Sequence, residues 1–504
     1  MAAVKRSDTD RTISGLADAA GDLLVEVRGD AEVAIETVVY DSRAARPRSL
    51  FFCVPGTVTD GHRFAAEAVE RGAVALCVER PVDVDATQIV VGDVRPAMAR
   101  MTAAFYGHPS DDLLLIGLTG TNGKTTTAYM VESILGAAGH VTALVGTVET
   151  RIAGEVRPGV RTTPESVDLH ALFAEMRDRK VTAAALEVTS HALALHRAEG
   201  IRFASAAFTN LSQDHLDFHR DMEDYFAAKR SLFVPGRVAR AAMNVDDPYG
   251  RRLFQEADVP SIGFGSSGDA DVRAEDVRVE QWGNDFLICS PQGEVKVATT
   301  LVGAFNVSNC LAACAACLQA GIELETIEAG LRALKAVPGR FEPVDQGQDF
   351  TVVVDYAHTP DSLDNVLREA RRLADHQGGR VVCVFGCGGD RDRGKRPLMG
   401  AIAARGADVV VVTSDNPRSE PPEAIIDEIV EGTIAERPGG PDAVITDRRE
   451  AVRAALGRAR AYDVVVIAGK GHETSQELRD EIIAFDDRVV AREELAGLGY
   501  GGRA

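Results

Sequence analysis

An apolar run, Leu113–Leu118, passes directly into Thr119-Gly120-Thr121-Asn122-Gly123-Lys124-Thr125-Thr126-Thr127. A run of that character reads as a strand buried on both faces. Gly120 and Gly123 let the backbone turn tightly so that successive N–H groups face one point, and a helix starting near Thr125 adds the positive end of its dipole. In such a loop Lys124 neutralises the outer phosphates of a nucleotide and Thr125 offers its hydroxyl to Mg2+. One departure stands out: Leu118 occupies the place where the standard pattern has its first glycine, and Gly117 comes one residue early. An ordinary glycine-rich turn is the bland alternative. Gly-Lys-Thr at a helix start, after a fully apolar strand, makes it the poorer reading.

The same rhythm of strand and helix recurs on both sides of the loop. Ahead of it, Leu50–Val54, Val74–Val78 and Gln88–Val91 read as strands and Arg63–Arg71 as a helix, up to a turn-rich break at Gly107-His108-Pro109-Ser110. After it, strands are predicted at Val141–Gly146, Thr182–Val188 and Ala204–Thr209 with helical stretches between them, an alternation that builds a parallel sheet. Between Val272 and Thr299 residues alternate in character, with Pro291-Gln292-Gly293 as a hairpin turn, so a small antiparallel appendage is expected. Helix follows from Asn306 to about Leu334, and Val337-Pro338-Gly339-Arg340 makes a second break. Beyond it, Thr351–Val354, Val381–Phe385, Val409–Thr413, Ala443–Thr446 and Val464–Ala468 are β-branched runs separated by helices, which predicts another doubly wound unit. The expectation is an α/β protein of three domains, 1–110, 111–336 and 337–504, the central one a P-loop ATPase-like parallel sheet and the last Rossmann-like.

A chain of 504 residues exceeds what one hydrophobic core organises. Its net charge of −21 makes nucleic acid or an anionic membrane a poor partner. A bound anion must then be met locally, by backbone N–H groups and a few cations. No signal-peptide pattern or bilayer-length apolar run stands in the sequence, so a cytoplasmic protein is expected. Cys310, Cys314 and Cys317 share a helix face and read as packing rather than as a metal site. Glu187 ends an apolar strand, facing the crevice into which the phosphate loop opens. Mg2+ accepts one protein carboxylate together with nucleotide oxygens. Read alone, His215 is a helix cap and Lys229 a solvated lysine.

Thr119–Thr125 resembles the ATP loop of the Mur ligase family. Glu187–Leu193, Phe208–Asp217, Gly303–Asn309, Pro338–Glu342 and Asp355–Pro360 follow in that family's order, and the likeness runs from Asp41 to Arg492. Several motifs in one order are much harder to meet by accident than one loop. The resemblance implies an ATP-dependent ligase that activates a carboxylate as an acyl phosphate and joins it to an amine, with Mg2+ present. By that resemblance Gly120, Thr121, Asn122, Gly123, Lys124, Thr125 and Thr126 hold the phosphates, Asn306 meets adenine, and Arg340 and Asp355 help to hold ATP. It also implies that Thr125 and Glu187 bind metal, and that His215 and a Lys229 carbamylated by CO2 bind a second ion. An ammonium beside two Mg2+ ions would be repelled, whereas a carbamate is attracted. Lys124, Lys229 and His215 are the implied catalytic groups.

Two further regions resemble those that set substrate choice within the family. Tyr40-Asp41-Ser42-Arg43 and Pro55–Gly61, with Thr57, are similar to its UDP-holding segment, which implies a UDP-N-acetylmuramoyl-dipeptide substrate. Thr162, Thr163, Thr189, Ser190 and Arg197 look like residues that grip the muramoyl-dipeptide, with Arg161 and Leu195 standing where some relatives carry Asn and Gln. Asp415-Asn416-Pro417-Arg418 resembles a meso-diaminopimelate-selecting motif, accompanied by Arg391, Gly469 and Glu473. A guanidinium fork binds the distal carboxylate of diaminopimelate with two parallel hydrogen bonds. Lysine would leave Arg418 desolvated and unpaired, which discriminates strongly. A lysine-adding or folate-type relative, or a nucleotide switch without ligase chemistry, fits these segments less well. A monomer with small-molecule substrates is expected.

Overall fold

Strands buried on both faces need apolar residues at every position, and the chain supplies them in three separate blocks. The computed structural model describes residues 11–56, 59–280 and 282–501. It forms two compact units: Met1–Leu211, His215–Gly263 and Ala312–Ile322 make the first, and Ser212–Asp214, Phe264–Leu311 and Glu323–Ala504 the second.

The first unit carries two sheets. The N-terminal one runs Leu24–Arg28, Thr87–Val91, Ala73–Val78, Ser49–Phe52, Thr37–Val39 in space, parallel except for Leu24–Arg28. Alternation decides its two cores. Leu50 and Phe52 pack with Leu16, Met98 and Met101 on one face, whereas Phe51 turns to Ala65 and Ala68 on the other. The expected helix Arg63–Arg71 is a 3-10 turn, Gly61–Phe64, followed by the short helix Ala65–Glu70.

In the second sheet of this unit Leu114–Thr119 lies between Ala183–Glu187 and Ser205–Phe208, all parallel. Thr142–Val145 flanks Ala183–Glu187 on its far side, and Ala241–Asn244 flanks Ser205–Phe208. The carboxyl ends of these strands therefore open together at one edge. An antiparallel hairpin, Glu149–Ile152 with Glu155–Pro158, extends the sheet beyond the expected strands. Its turn is Ala153-Gly154, with φ of 49° and 84°, a left-handed pair that suits a two-residue hairpin.

In the second unit the expected antiparallel appendage is three strands, Val272–Glu280, Gly283–Ser290 and Gly293–Thr299; Gln281 lies outside the described residues. The helical stretch expected from Asn306 to Leu334 is two helices, Ala304–Gln319 and Leu324–Ala333. Between them Gly321 takes φ 86°, the left-handed conformation that ends helices. Cys310, Cys314 and Cys317 are buried in the first of the two.

The last sheet runs Glu342–Pro343, Thr351–Asp355, Val464–Ala468, Val381–Phe385, Val409–Val412, Ala443–Val444, with only the first strand antiparallel. Val353, Cys383, Val410 and Val466 meet Leu363, Met399 and Ile429 on one face, while Val352, Val382, Val411 and Val465 meet Val452 and Val490 on the other. That is the two-sided cover of a doubly wound α/β domain. Among the described residues no helix is long and apolar enough to cross a membrane.

Candidate active site

The strand Leu114–Thr119 ends in a loop whose glycines are required by its path. Gly120 has φ 146°, and a Cβ there would collide with Thr209 Oγ1. Gly123 has φ 84° and stands at the N-cap of Lys124–Ala137, a helix that begins one residue before the expected start. Asn210 laces the loop: its main-chain O accepts from Thr121 N at 2.9 Å and its Oδ1 from Asn122 N at 2.9 Å. Thr209 Oγ1 donates to Asn122 O at 2.6 Å. Lys124 folds back over the loop and donates to Gly120 O at 2.9 Å and Thr121 O at 2.7 Å. Thr126 is buried in the first turn of the helix.

Glu187, fully buried at the end of its strand, is gripped on both oxygens. Thr147 N donates to Oε1 at 2.9 Å; Thr147 Oγ1 and Thr125 Oγ1 donate to Oε2 at 3.0 and 3.1 Å. A Cβ on Gly146 would collide with this carboxylate and push it out of its present position. A carboxylate and a hydroxyl side by side on the phosphate loop are the sparse oxygen set that a hard divalent cation accepts. Among the described residues, no group of three or more His, Cys, Asp or Glu forms a ready-made cage.

Lys229, expected on sequence alone to be solvated, is 1% exposed. Its Nζ donates to Gly120 O at 2.7 Å and sits 4.7 Å from the centre of the Tyr225 ring. Tyr225 OH in turn hydrogen-bonds Thr121 Oγ1 at 3.1 Å, so the helix Met222–Arg230 is tied to the phosphate loop at two points. His215 has φ 54° and lies 4.7 Å from the His191 ring, in an aromatic group completed by Phe218 and His219. Burial, then the neighbouring histidines, pushes His191 down to about 4.

Next to Glu187, Thr163 Oγ1 donates to the Glu187 main-chain O at 2.7 Å and accepts from Thr189 N at 3.1 Å. Thr162 Oγ1 meets Thr147 Oγ1 at 3.0 Å. Thr189 caps the short helix Ser190–Ala194, and Ser190 is buried at its first turn. Arg197 donates to Thr163 O at 3.2 Å and pairs with Glu165 at 2.9 Å. Tyr40 OH donates to Asp168 Oδ2 at 2.7 Å, and burial with that carboxylate raises the phenol above its usual range. Ser42, buried, donates to Glu67 at 3.0 Å. Thr57 lies outside the described residues.

In the second unit, Asn306 is buried at the start of its helix, with Nδ2 on Val302 O at 2.7 Å. Asp355 accepts from Phe341 N at 2.7 Å and Ala357 N at 2.8 Å, which fixes the Gly339-Arg340 turn against the strand end. Burial raises its pKa, against the pull of Arg340. The Arg340 guanidinium stacks 5.0 Å above the Tyr356 ring.

The three charged loops at the strand ends form one assembly. Arg418, at φ 53°, pairs with Glu477 at 2.6 Å and donates to Gly389 O at 2.9 Å. Gly389 N reaches Asn416 O at 2.9 Å, and Asp390 accepts from Ser419 Oγ at 2.6 Å, so the Arg391 loop is clamped to the Arg418 loop. Arg391 itself stays exposed, its Nη1 on Asp390 O at 3.0 Å. Behind them Lys470, fully buried, donates to Asn416 Oδ1 and to Glu473 Oε2, both at 2.9 Å, and stands 3.8 Å from Asp415. Burial would raise Glu473, but Lys470 and Asn416 outweigh it and hold the carboxyl below its usual range. Gly469 takes φ 117°; a Cβ there would lie 2.6 Å from Asp415 Oδ2. Pro417 is buried. Beneath lies a completely buried pair, Arg448 and Asp487, at 2.7 Å.

Thr147, Tyr225, Glu165 with Arg95, and Lys470 reach these sites without having been singled out in the sequence. Thr147 was within reach of a register argument, since Val145 pairs with Leu186 and each strand then ends at the same edge. Lys470 sits inside the Gly469–Glu473 segment, and Tyr225 one helical turn before Lys229. Arg95 carried no local signal, because its partner is distant in the chain.

Comparison with known proteins gives the following. The Mur ligase middle domain matches residues 118–317, the Mur ligase glutamate ligase domain 339–471, and the Mur ligase family catalytic domain 34–106. A UDP-N-acetylmuramoyl-L-alanyl-D-glutamate–2,6-diaminopimelate ligase of Geobacillus kaustophilus is 49% identical over 465 residues, 91% of this chain and 94% of that one. The protein of the same name from Streptomyces coelicolor is 46% identical over 476 residues, 92% of this chain and 93% of that one. A solved ligase of this name superposes at a TM-score of 0.70 with 32% identity, over 97% of this chain and 99% of that one. The Thermotoga maritima MurF ligase in complex with ADP shares the fold at a TM-score of 0.60 and 19% identity, over 92% of this chain and 96% of that one.

Proposed function

The chain belongs to the Mur ligase family, and we propose on that premise that it joins meso-2,6-diaminopimelate to UDP-N-acetylmuramoyl-L-alanyl-D-glutamate, with ATP as phosphoryl donor. The observation that carries the reading is the meeting of the Gly120 loop, Lys124, the Thr125 hydroxyl and the Glu187 carboxylate at one sheet edge. The clamped Arg418 and Arg391 loops support the choice of amino acid. The working domains are taken as 1–110, 111–336 and 337–504, a division supported by three sheets with their own cores and three separate family matches. A monomer acting in the cytoplasm, with neither nucleic acid nor membrane as a partner, goes with this reading.

The dipeptide's reacting carboxylate attacks the γ-phosphorus of ATP and ADP leaves; the amine of diaminopimelate then attacks the acyl phosphate and inorganic phosphate departs. Phosphoryl transfer of this kind depends chiefly on positioning and on charge stabilisation. Backbone N–H groups at the Gly123–Thr125 end of the loop bind the phosphates, while those of Thr121 and Asn122 hold the loop's shape through Asn210. Lys124 exchanges its two loop carbonyls for phosphate oxygens, and Thr126 extends the row. Asn306, Arg340 and Asp355 are assigned to the nucleotide, the first at adenine. Mg2+, when bound, neutralises the developing negative charge. Thr125 and Glu187 would hold one ion, and His215 with a carbamylated Lys229 a second. Tyr40, Ser42 and Thr57 are assigned to the UDP end, and Thr162, Thr163, Thr189, Ser190 and Arg197 to the muramoyl-dipeptide. Arg418 and Arg391 take the two carboxylates of diaminopimelate. Glu473 takes its ammonium, beside Asp415, Asn416, Pro417 and Gly469.

The experiment is phosphate release by the purified protein with Mg2+ and ATP, omitting one substrate at a time. Release should require both the UDP-dipeptide and diaminopimelate. Equal release with lysine, or release without an amino acid, would defeat the proposal.

A further inference from the structure

Glu165 occupies the N-cap of the helix Ser166–Asp178, yet its side chain makes no capping bond. Instead the carboxylate, on a residue only 7% exposed, turns to three guanidinium groups. Arg197 Nη2 and Arg161 Nη1 each stand 2.9 Å from Oε1, and Arg95 Nη1 stands 3.6 Å from Oε2. The three arginines come from different parts of the chain: the helix Val94–Phe105, the segment before Glu165, and the segment after Ser190–Ala194. The next carboxylate along the helix, Asp168, is engaged by Tyr40. Arg161 is half exposed, so the partly dehydrated part of the group is Arg197 and Arg95 around Glu165, two cations facing one anion. Such a surplus is costly unless another anion completes it. Several buried donors there lack hydrogen-bond partners among the described residues: Arg197 Nε and the hydroxyls of Ser166 and Ser190. Burial lowers the pKa of Arg197, and Glu165 opposes that pull.

The substrate proposed above supplies the missing anion. Its terminal glutamate has two carboxylates; one becomes the acyl phosphate and the other keeps its charge throughout. We propose that Glu165 is a positioning residue, which holds Arg197, with Arg95 and Arg161 beside it, as the receptor for that second, non-reacting carboxylate. Glu165 takes the Nη2 side of Arg197 and leaves Nε–H for the substrate. Thr163 then sets the receptor's distance from the chemistry. Its main-chain O accepts from Arg197 Nη1 at 3.2 Å, and its hydroxyl donates to the Glu187 main-chain O at 2.7 Å. Fixing the silent carboxylate therefore turns the reacting one toward the phosphate loop.

This inference rests on the function proposed above, and steady-state kinetics on the full chain separates the two. In the unmodified protein, a dipeptide substrate carrying an amide in place of the non-reacting carboxylate should show a KM raised about tenfold or more. Glu165→Gln should raise the KM for the normal UDP-dipeptide by a similar factor, leave those for ATP and diaminopimelate unchanged, and lose little more with the amide substrate. Glu165→Asp should restore part of the loss. Equal use of acid and amide substrates by the unmodified protein overturns the inference, and that arm needs no variant to fold. So does a Glu165→Gln enzyme with an unchanged KM for the UDP-dipeptide, or one with a uniform loss against all three substrates and a lowered melting temperature. Absence of turnover in the unmodified protein counts instead against the function itself.

Discussion

Arg418 keeps a left-handed backbone while its guanidinium bridges Glu477 and Gly389 O. A non-glycine residue in that region is held there by its surroundings, and such strain gathers at functional sites. Lysine at this position keeps the charge and loses the planar fork. Arg418→Lys should therefore raise the KM for diaminopimelate about a hundredfold, the order expected when charge-assisted bonds to a carboxylate are lost, with ATP binding by calorimetry unchanged. Lys229→Ala should abolish turnover, with partial recovery on adding a short-chain carboxylate; full activity without rescue would refute a metal-binding carbamate. The Asp415–Arg418 segment stands out in the sequence because its parts are contiguous. The burial of Lys229 does not: Gly120 O and the Tyr225 ring, which enclose it, reach it only through the fold. The arginine group around Glu165 was hidden for the same reason.

Elements divide along similar lines. Parallel strands such as Val381–Phe385 and Val464–Ala468 were legible because burial on both faces demands unbroken apolar runs. The hairpin of Glu149–Ile152 and Glu155–Pro158 was not, since its residues are partly exposed and its turn uses Ala153 where asparagine would signal one. The single helix expected after Asn306 splits because Gly321 acts as a terminator at φ 86°. Within the phosphate loop, Gly120→Ala meets both an unfavourable φ and the Thr209 hydroxyl. A cost of about 1–3 kcal/mol follows from the backbone strain alone. Thermal melting should show the protein destabilised, and calorimetry should show ATP uptake lost. Retention of wild-type affinity would mean that the loop tolerates a side chain facing Thr209.

At the scale of the whole molecule, acid stability is tied to buried neutral histidines. His170 is fully buried, and desolvation lowers its pKa from 6.5 to about 4. Its contribution to stability is complete above about pH 6.5. As the pH falls, the unfolded chain binds a proton first, so the contribution declines and is lost as pH passes through about 4. Its size is about 3 kcal/mol for a shift of that order. His170→Leu should narrow the gap between melting temperatures measured at pH 7.5 and 4.5; an unchanged gap would assign the acid sensitivity to other groups. The sequence fixes neither the depth of that burial nor the two-unit division of the chain, because both follow from how distant segments pack. The fully enclosed Arg448–Asp487 pair has a further consequence for the loops above it. Mobile counter-ions cannot reach charges sealed from solvent, so concentrated electrolyte leaves that floor intact and weakens what Arg391 and the partly exposed Arg418–Glu477 pair contribute at the open rim.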